Sequence, residues 1–308
     1  MSIIRIDDIA FVRFRAPDLA AMKAFLEDFG LSETPHAPGR LFMRGTGSAP
    51  FLHATELGEP GFAGFAFRAA SPADLEMLAA AERVPIEALD APGGGRVVRL
   101  IDPDGFPVEV VAGQAAGDVT ALPPRAPWNN ADASARLRQV KRVGKGPAHV
   151  LRLGHGVLNV ADFRRSEAWY KARFGFLTSD EIELQPGLAV GAFLRCDRGD
   201  RPADHHTLFL MQNPKGASFN HAAFEVRDLD DLMSGHDFLQ QNARQAVWGV
   251  GRHILGSQVF DYWRDPWGHR VEHWTDGDLF TAADSPHKTG LNDLLGVQWG
   301  PNAPAAMA

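Results

Sequence analysis

The chain of 308 residues holds one cysteine, Cys196. A single thiol permits no intramolecular disulfide, which excludes a small disulfide-stapled fold and makes a reducing cytoplasm the expected setting. No apolar run approaches the roughly 20 residues that span a bilayer, so no membrane association is expected. The opening residues, Met1 to Asp8, also lack the apolar stretch of a signal peptide. Basic charge is not in excess: the net charge is −7 and the pI about 5.9. A general nucleic-acid binder needs a basic face, so nucleic acid is not an expected partner. Histidine and tryptophan are scarce in the first half. Only His36 and His53 precede His149, and all seven tryptophans lie at or beyond Trp128. Chemistry that needs imidazole is therefore expected in the second half.

What is present suits a globular protein with a full core, with 45% hydrophobic and 22% charged residues. The length fits two domains of roughly 100–200 residues, and an internal repeat divides it. Each half opens with an apolar alternating segment, Ile9 to Phe14 and His155 to Val160, followed by an amphipathic helix. Asp18 and Asp162 stand where those helices need an N-cap, a side-chain acceptor for the first free amides. A second block, Gly64 to Arg68 then Asp74-Leu75, recurs as His221 to Glu225 then Asp231-Leu232, 157 residues later at both anchor points. A third, Asp102-Pro103-Asp104-Gly105 leading to Val108-Glu109, recurs as Asp265-Pro266-Trp267-Gly268 leading to Val271-Glu272, 163 residues later. Asp-Pro-x-Gly suits a type I turn: Asp caps it, Pro presets φ, and Gly takes a left-handed position. The expected layout is a first domain over 1–115, a linker over 116–147 with Pro123, Pro124, Pro127 and Asn129-Asn130, a second domain over 148–276, and a tail over 277–308.

At the three matched places of the second half stand His155, His221 and Glu272. Two imidazoles and a carboxylate on separate strands can form a facial triad, which leaves three adjacent positions of an octahedral metal open for substrate and oxygen. Fe(II) suits such a site, although Mn(II), Zn(II) or Ni(II) can take the same donors. A lone strand histidine is more often structural; the three together, at repeat-equivalent positions, reverse those odds. In the first half the counterparts fall around Ala10 or Phe11, at Gly64 and at Glu109, so only the carboxylate survives and that half reads as scaffold.

The hairpin register matters to this site. If Asp265–Gly268 is a type I turn with Gly268 as a G1 bulge, Asp265 pairs with His269 and Tyr262 falls directly opposite Glu272. A plain two-residue loop would pair Tyr262 with Val271 and send its side chain to the other face.

With these residues in place, the two-module chain resembles the vicinal oxygen chelate superfamily (the glyoxalase, bleomycin resistance and dioxygenase group). Its second half resembles the type I extradiol catechol dioxygenases. The likeness covers about residues 5–280, and the specific motifs lie in 149–275. It implies an α+β fold of two domains, each of paired βαβββ modules forming a partly open barrel around a central site. It implies Fe(II) on His155, His221 and Glu272, and cleavage of a catechol-type aromatic beside its diol by O2, as in aromatic hydrocarbon breakdown. A homo-oligomer is expected on the same ground.

The spacing from His253 to Tyr262 to Glu272, nine and then ten residues, is similar to the family's His…Tyr…Glu signature. It implies that His253 and Tyr262 contact the substrate's metal-binding oxygens. In the family a histidine at the place of His205-His206 does the acid–base work. Strand alternation places His205 with Thr207 and Phe209, and His206 with Leu208 and Leu210. The purely apolar face is expected to pack inward, which selects His205 as catalytic and leaves His206 as a substrate-binding alternative. Trp248 and Phe193 are candidate pocket walls. The loop Ile254 to Val259 departs from many members, which carry an acidic or amide residue a few places after the histidine; this bears on substrate identity more than on reaction class. Other enzymes of the superfamily, isomerases, lyases and thiol transferases, do not need the His205, His253 and Tyr262 set. Bleomycin-binding proteins of the group are short and lack metal ligands.

Overall fold

The structure is a computed structural model and describes residues 2–305. Two βαβββ modules build the first half. They run β1 (Ile6–Ala16), α1 (Leu19–Asp28), β2 (Ser32–Glu33), β3 (Arg40–Arg44) and β4 (His53–Leu57), then β5 (Gly61–Ala69), α2 (Pro72–Glu82), β6 (Glu87–Ala88), β7 (Arg96–Ile101) and β8 (Pro107–Ala112). The second half repeats the plan. Its modules are β9 (Val150–Val160), α3 (Phe163–Phe174), β10 (Leu177–Gln185), β11 (Leu188–Arg195), β12 (Ala203–Asp204) and β13 (Leu208–Gln212), then β14 (Ser218–Val226), α4 (Leu229–Gln241), β15 (Gln245–His253), β16 (Val259–Arg264) and β17 (Arg270–Thr275). The chain ends with β18 (Leu279–Phe280), β19 (His287–Gly290), α5 (Leu291–Leu295) and β20 (Val297–Trp299). Between the halves, residues 113–147 form no helix or strand, in keeping with their prolines; one isolated bridge joins Asn129 to Ser134.

The helices start where the sequence places their caps. Asp18 accepts from the amides of Ala20 and Ala21, Asp162 from that of Arg165. Ser71 and Asp228 do the same for α2 and α4. Each cap satisfies amides that have no intrahelical partner.

The first sheet has the order β2-β3-β4-β1-β5-β8-β7-β6, and the second β19-β10-β11-β13-β9-β14-β17-β16-β15-β20. In each, the two modules abut through their first strands, β1 antiparallel to β5 and β9 antiparallel to β14. The result is a mixed α+β fold of two open sheets, as the paired-module likeness implies. The tail joins the second sheet at both ends: β19 pairs with β10, β20 with β15, and α5 crosses between them.

The register of three strands places the candidate metal ligands. On β14, Ala223 pairs with His155 of β9 on one side and with Glu272 of β17 on the other. His221, two residues before Ala223, shares its face of β14. The hairpin is as the turn chemistry requires. Asp265 accepts from the Gly268 amide at 3.0 Å and its own amide donates to His269 O at 2.9 Å; Gly268 has φ 91°, and Tyr262 pairs with Glu272.

The halves pack through the strand that carries His155. A Cβ added to Gly156 would lie 2.3 Å from the ring of Phe65 in the first half, and one on Gly154 would lie 2.5 Å from Trp274. Gly156→Ala is therefore expected to force β9 off Phe65 and lower stability by about 1–3 kcal/mol, the usual cost of overfilling a packed core. Urea unfolding measures this, with Gly144→Ala, which meets nothing within 4 Å, as the neutral comparison; equal midpoints for the two variants would contradict the packing described.

Candidate active site

Glu272 is fully buried, and neither of its oxygens has a hydrogen-bond partner. Nε2 of His155 and Nε2 of His221 lie 3.3 and 3.2 Å from its Oε2. Donors about 2.1 Å from one ion and at right angles stand about 3.0 Å apart, so the spacing fits a shared cation. The three donor atoms all lie within 4.8 Å of one another. Burial pushes the pKa of His155 down to about 3 and that of His221 down to about 4. Both rings are thus neutral near pH 7, and their contacts with Glu272 are not ion pairs. Burial also pushes the Glu272 carboxyl upward, against the pull of His221. A buried carboxylate with no partner costs several kcal/mol even after relaxation. A divalent cation resolves both conditions, because it takes imidazole lone pairs and neutralises the carboxylate. The tautomer of His221 is already set for it: its Nδ1 donates to Asn220 Oδ1 at 2.9 Å, which leaves Nε2 bare.

The first half shows what the same cradle does with a different cation. Phe11 pairs with Ala66, and Ala66 with Glu109, as His155, Ala223 and Glu272 do in the second. Phe11 thus holds the place of His155. Arg99 stands opposite Glu109 where Tyr262 stands opposite Glu272. Glu109 Oε1 accepts from Arg13 Nη1 at 2.6 Å and from Arg99 Nε at 2.9 Å. Guanidinium groups thus take the place that a metal fits in the second half.

A cavity of about 380 Å³ opens beside the triad, within the range of small-molecule sites. His155, His221, His206, His253 and Tyr262 line it, and Trp248 and Phe193 form walls. His253 Nε2 and the Tyr262 hydroxyl are 3.0 Å apart. Burial pushes the pKa of His253 down to about 3 and holds the Tyr262 hydroxyl well above its ordinary value. The contact is thus a hydrogen bond between two uncharged groups, an imidazole and a phenol. Trp248 stacks on Tyr262 at 5.7 Å, and Phe193 stacks on Phe209 at 4.0 Å.

The structure corrects one placement. His206, not His205, faces the cavity; its ring centroid is 4.0 Å from that of His155. His205 lies behind it, 1% exposed, with Nε2 2.6 Å from Asp180 Oδ2. Alternation misled because it was extended beyond the strand: β13 begins at Leu208, and the chain bends at His205 and Thr207. Other cavity residues carried no sequence signal tying them to the site. They include Gln258 of the divergent loop, Asn220 and Arg270, and Leu291, Leu294 and Leu295 of the tail. The three leucines do recur at helical spacing, but only the course of α5 between β19 and β20 brings them to the cavity wall. The remaining histidines have structural partners: His273 Nε2 donates to Phe29 O at 2.7 Å, and His149, His236 and His269 pair with Asp231, Asp261 and Asp265.

Residues 152–273 match the family model of the Glyoxalase/Bleomycin resistance protein/Dioxygenase superfamily. Along its sequence the chain is similar to metapyrocatechase 2 of Cupriavidus necator, 29% identical over 301 residues that cover 94% of this chain and 87% of that one. It is also similar to 3-methylcatechol 2,3-dioxygenase of Pseudomonas putida, 30% identical over 124 residues, 39% of this chain and 40% of that one. Among solved structures it is similar to a Mn(II)-bound glyoxalase from Novosphingobium aromaticivorans, with a TM-score of 0.79 and 23% identity over 99% of this chain and 95% of the other. The 3,4-dihydroxyphenylacetate complex of homoprotocatechuate 2,3-dioxygenase from Brevibacterium fuscum gives a TM-score of 0.79 and 20% identity over 98% and 92%. At such identities the structural likeness establishes the fold. A glyoxalase and a dioxygenase both share it, so the choice of chemistry falls to the side chains.

The metal-free protein is expected to take up one equivalent of a divalent transition metal, measured by elemental analysis after desalting. Glu272→Gln and His221→Ala should lose it and Glu109→Gln should keep it, while Asn220→Ala should weaken binding about 10–100-fold through the freed His221 ring. A full equivalent retained by Glu272→Gln would rule out this site.

Proposed function

We propose that this chain, whose second half belongs to the Glyoxalase/Bleomycin resistance protein/Dioxygenase superfamily, is an Fe(II)-dependent extradiol dioxygenase that opens a catechol-type ring beside its diol. One observation carries the reading: the cavity beside the three metal-type donors, lined by His155 and His221 of that set, is also lined by His206, His253 and Tyr262. A metal lyase or isomerase on this fold has no need of that set. The names of the sequence relatives point the same way.

His155, His221 and Glu272 would hold the iron. Iron(II) bound there supplies a path for electrons from an electron-rich ring to dioxygen, so that no external reductant is needed. The protein's own groups do the rest. Phe193, Phe209 and Trp248 hold the aromatic ring and exclude water. His206, beside His155, takes a proton from one catechol hydroxyl and returns it as the ring opens, the ordinary work of a positioned imidazole. The hydrogen-bonded pair of His253 and Tyr262 steadies the ionised substrate oxygen from another wall. Leu291, Leu294 and Leu295 cover the cavity from the tail. Both atoms of O2 end in the ring-opened product. The catalytic unit is the segment 148–276, with 1–115 as its scaffold. A homo-oligomer in a reducing cytoplasm belongs to the same proposal. Cys196 is buried and its thiol pushed up by burial, so it stands outside the chemistry. No described helix is long and apolar enough to cross a membrane.

Anaerobic loading with Fe(II), followed by air and a panel of catechols, is expected to give oxygen uptake and a yellow ring-opened product; no uptake with any catechol would sink the proposal. In the same assay Tyr262→Phe should lose about 10²-fold in kcat while keeping its iron, as for removal of one preorganised donor.

A further inference from the structure

Behind His206 the wall of the cavity holds a second, fully enclosed constellation. His205 Nδ1 lies 3.0 Å from His206 Nδ1, and His205 Nε2 lies 2.6 Å from Asp180 Oδ2. His205 is 1% exposed, His206 4% and Asp180 7%. The middle ring is held on several sides. Its amide donates to Asp278 O at 2.9 Å, and Ser179 Oγ donates to its carbonyl at 2.6 Å. The rings of Phe193 and Phe280 lie 5.0 and 5.6 Å away. Gly256, at φ +76°, lies so close that a Cβ there would be 2.9 Å from His205 Nδ1. A side chain clamped this way, touching neither the triad nor the cavity, is more than a filler.

The hydrogen-bond directions follow from the groups themselves. A carboxylate only accepts, so His205 Nε2 must donate to Asp180. In a neutral ring the other nitrogen then carries the lone pair. His205 Nδ1 must accept, and the hydrogen between the two rings must sit on His206 Nδ1. His206 Nε2, the nitrogen left for the cavity, is therefore bare. We infer that Asp180 and His205 are positioning residues: through two consecutive hydrogen bonds they fix His206 in the tautomer that presents an unprotonated Nε2 to the substrate. The line continues outward. His287 Nδ1, on exposed β19 of the tail, lies 3.7 Å from Asp180 Oδ1, and Arg195 also lies within reach of that carboxylate's field. Asp180 and His287 are register partners, so the tail strand is joined to β10 at the residue that starts the chain of hydrogen bonds. The use of the bare nitrogen as a base rests on the dioxygenase reading; the tautomer does not.

An amide at position 180 can donate to His205 Nε2. That would turn the His205 ring into a donor toward His206 and place the hydrogen on His206 Nε2. In serine proteases the same exchange behind a histidine leaves the geometry intact and costs about 10⁴-fold in kcat through the wrong tautomer. The test is nitrogen-15 NMR of histidine-labelled, metal-free protein, with the His206 signals identified by their loss in His206→Gln. The wild-type protein should show His206 Nδ1 as the protonated nitrogen and Nε2 as the bare one. Asp180→Asn should reverse them. With iron loaded, Asp180→Asn should lose at least about tenfold in kcat with KM within about twofold, and Asp180→Glu should recover part of the loss. Wild-type protein with His206 Nε2 protonated overturns the inference, whether or not Asp180→Asn folds, and so does an Asp180→Asn protein with the tautomer unchanged. The stated tautomer in a protein that turns over no catechol would instead count against the dioxygenase reading alone.

Discussion

Glu272 is buried to the point of no exposure, has no hydrogen-bond donor on either oxygen, and faces two imidazoles kept neutral by the same burial. Much of the second half is arranged around that carboxylate. Its strand is paired through Ala223 to the strand of His155, and the small side chain of Ala223 leaves room between the larger ones. The bulged turn at Gly268 brings Tyr262 opposite it. His253, 3.8 Å from its Oε1, reaches the same centre from β15. A carboxylate in this state is unfavourable unless a cation joins it, and the donors around it have the type and spacing that a divalent metal requires.

The duplication shows two solutions to one problem. Both halves retain a glutamate at the same register position, and both must neutralise it. The first half places Arg13 and Arg99 on Glu109 and fills the place of His155 with Phe11, which closes the cradle with protein groups. The second half removes the guanidiniums and supplies imidazoles, which leaves the cradle open on the cavity side. One half is thereby a packing partner, pressing Phe65 against the glycine beside His155. The other carries an open site. The same logic explains the crowding of histidines: His155, His206, His221 and His253 sit within one apolar enclosure, where burial favours neutral rings that can accept hydrogen bonds or bind metal.

Much of this was legible from the residues alone, because it rests on local or periodic physics. Helix caps at Asp18 and Asp162, the Asp-Pro-x-Gly turns, and the bulge that pairs Tyr262 with Glu272 are set by a few adjacent residues. The repeat made equivalent positions visible, and so singled out His155, His221 and Glu272 against Phe11, Gly64 and Glu109. The difficulties came where the chain is neither helix nor strand. His205 and His206 lie in a bend, where a period of two has no meaning, and the placement of the pair relative to the cavity came out reversed. Asp180 and Arg99 were invisible for a related reason: each acts through a partner on another strand, and nothing local marks which acid or base will be buried opposite which group.

The tail marks the boundary most clearly. Its sequence, polar and proline-containing up to Pro286, then Leu291, Leu294 and Leu295, reads as little more than an appendix. Tertiary structure adds one of its strands to each edge of the second sheet and brings the short helix to the cavity, which the leucines line. Sequence by itself determined the two-fold repeat, the caps and turns, and which residues could hold a metal, since each is fixed by spacing along the chain. Only the folded structure decided which histidine lines the cavity, what stands behind it, and which part of the tail reaches it. Those outcomes depend on edges and side chains that meet from distant segments, and that meeting is settled when the sheets curve and pack.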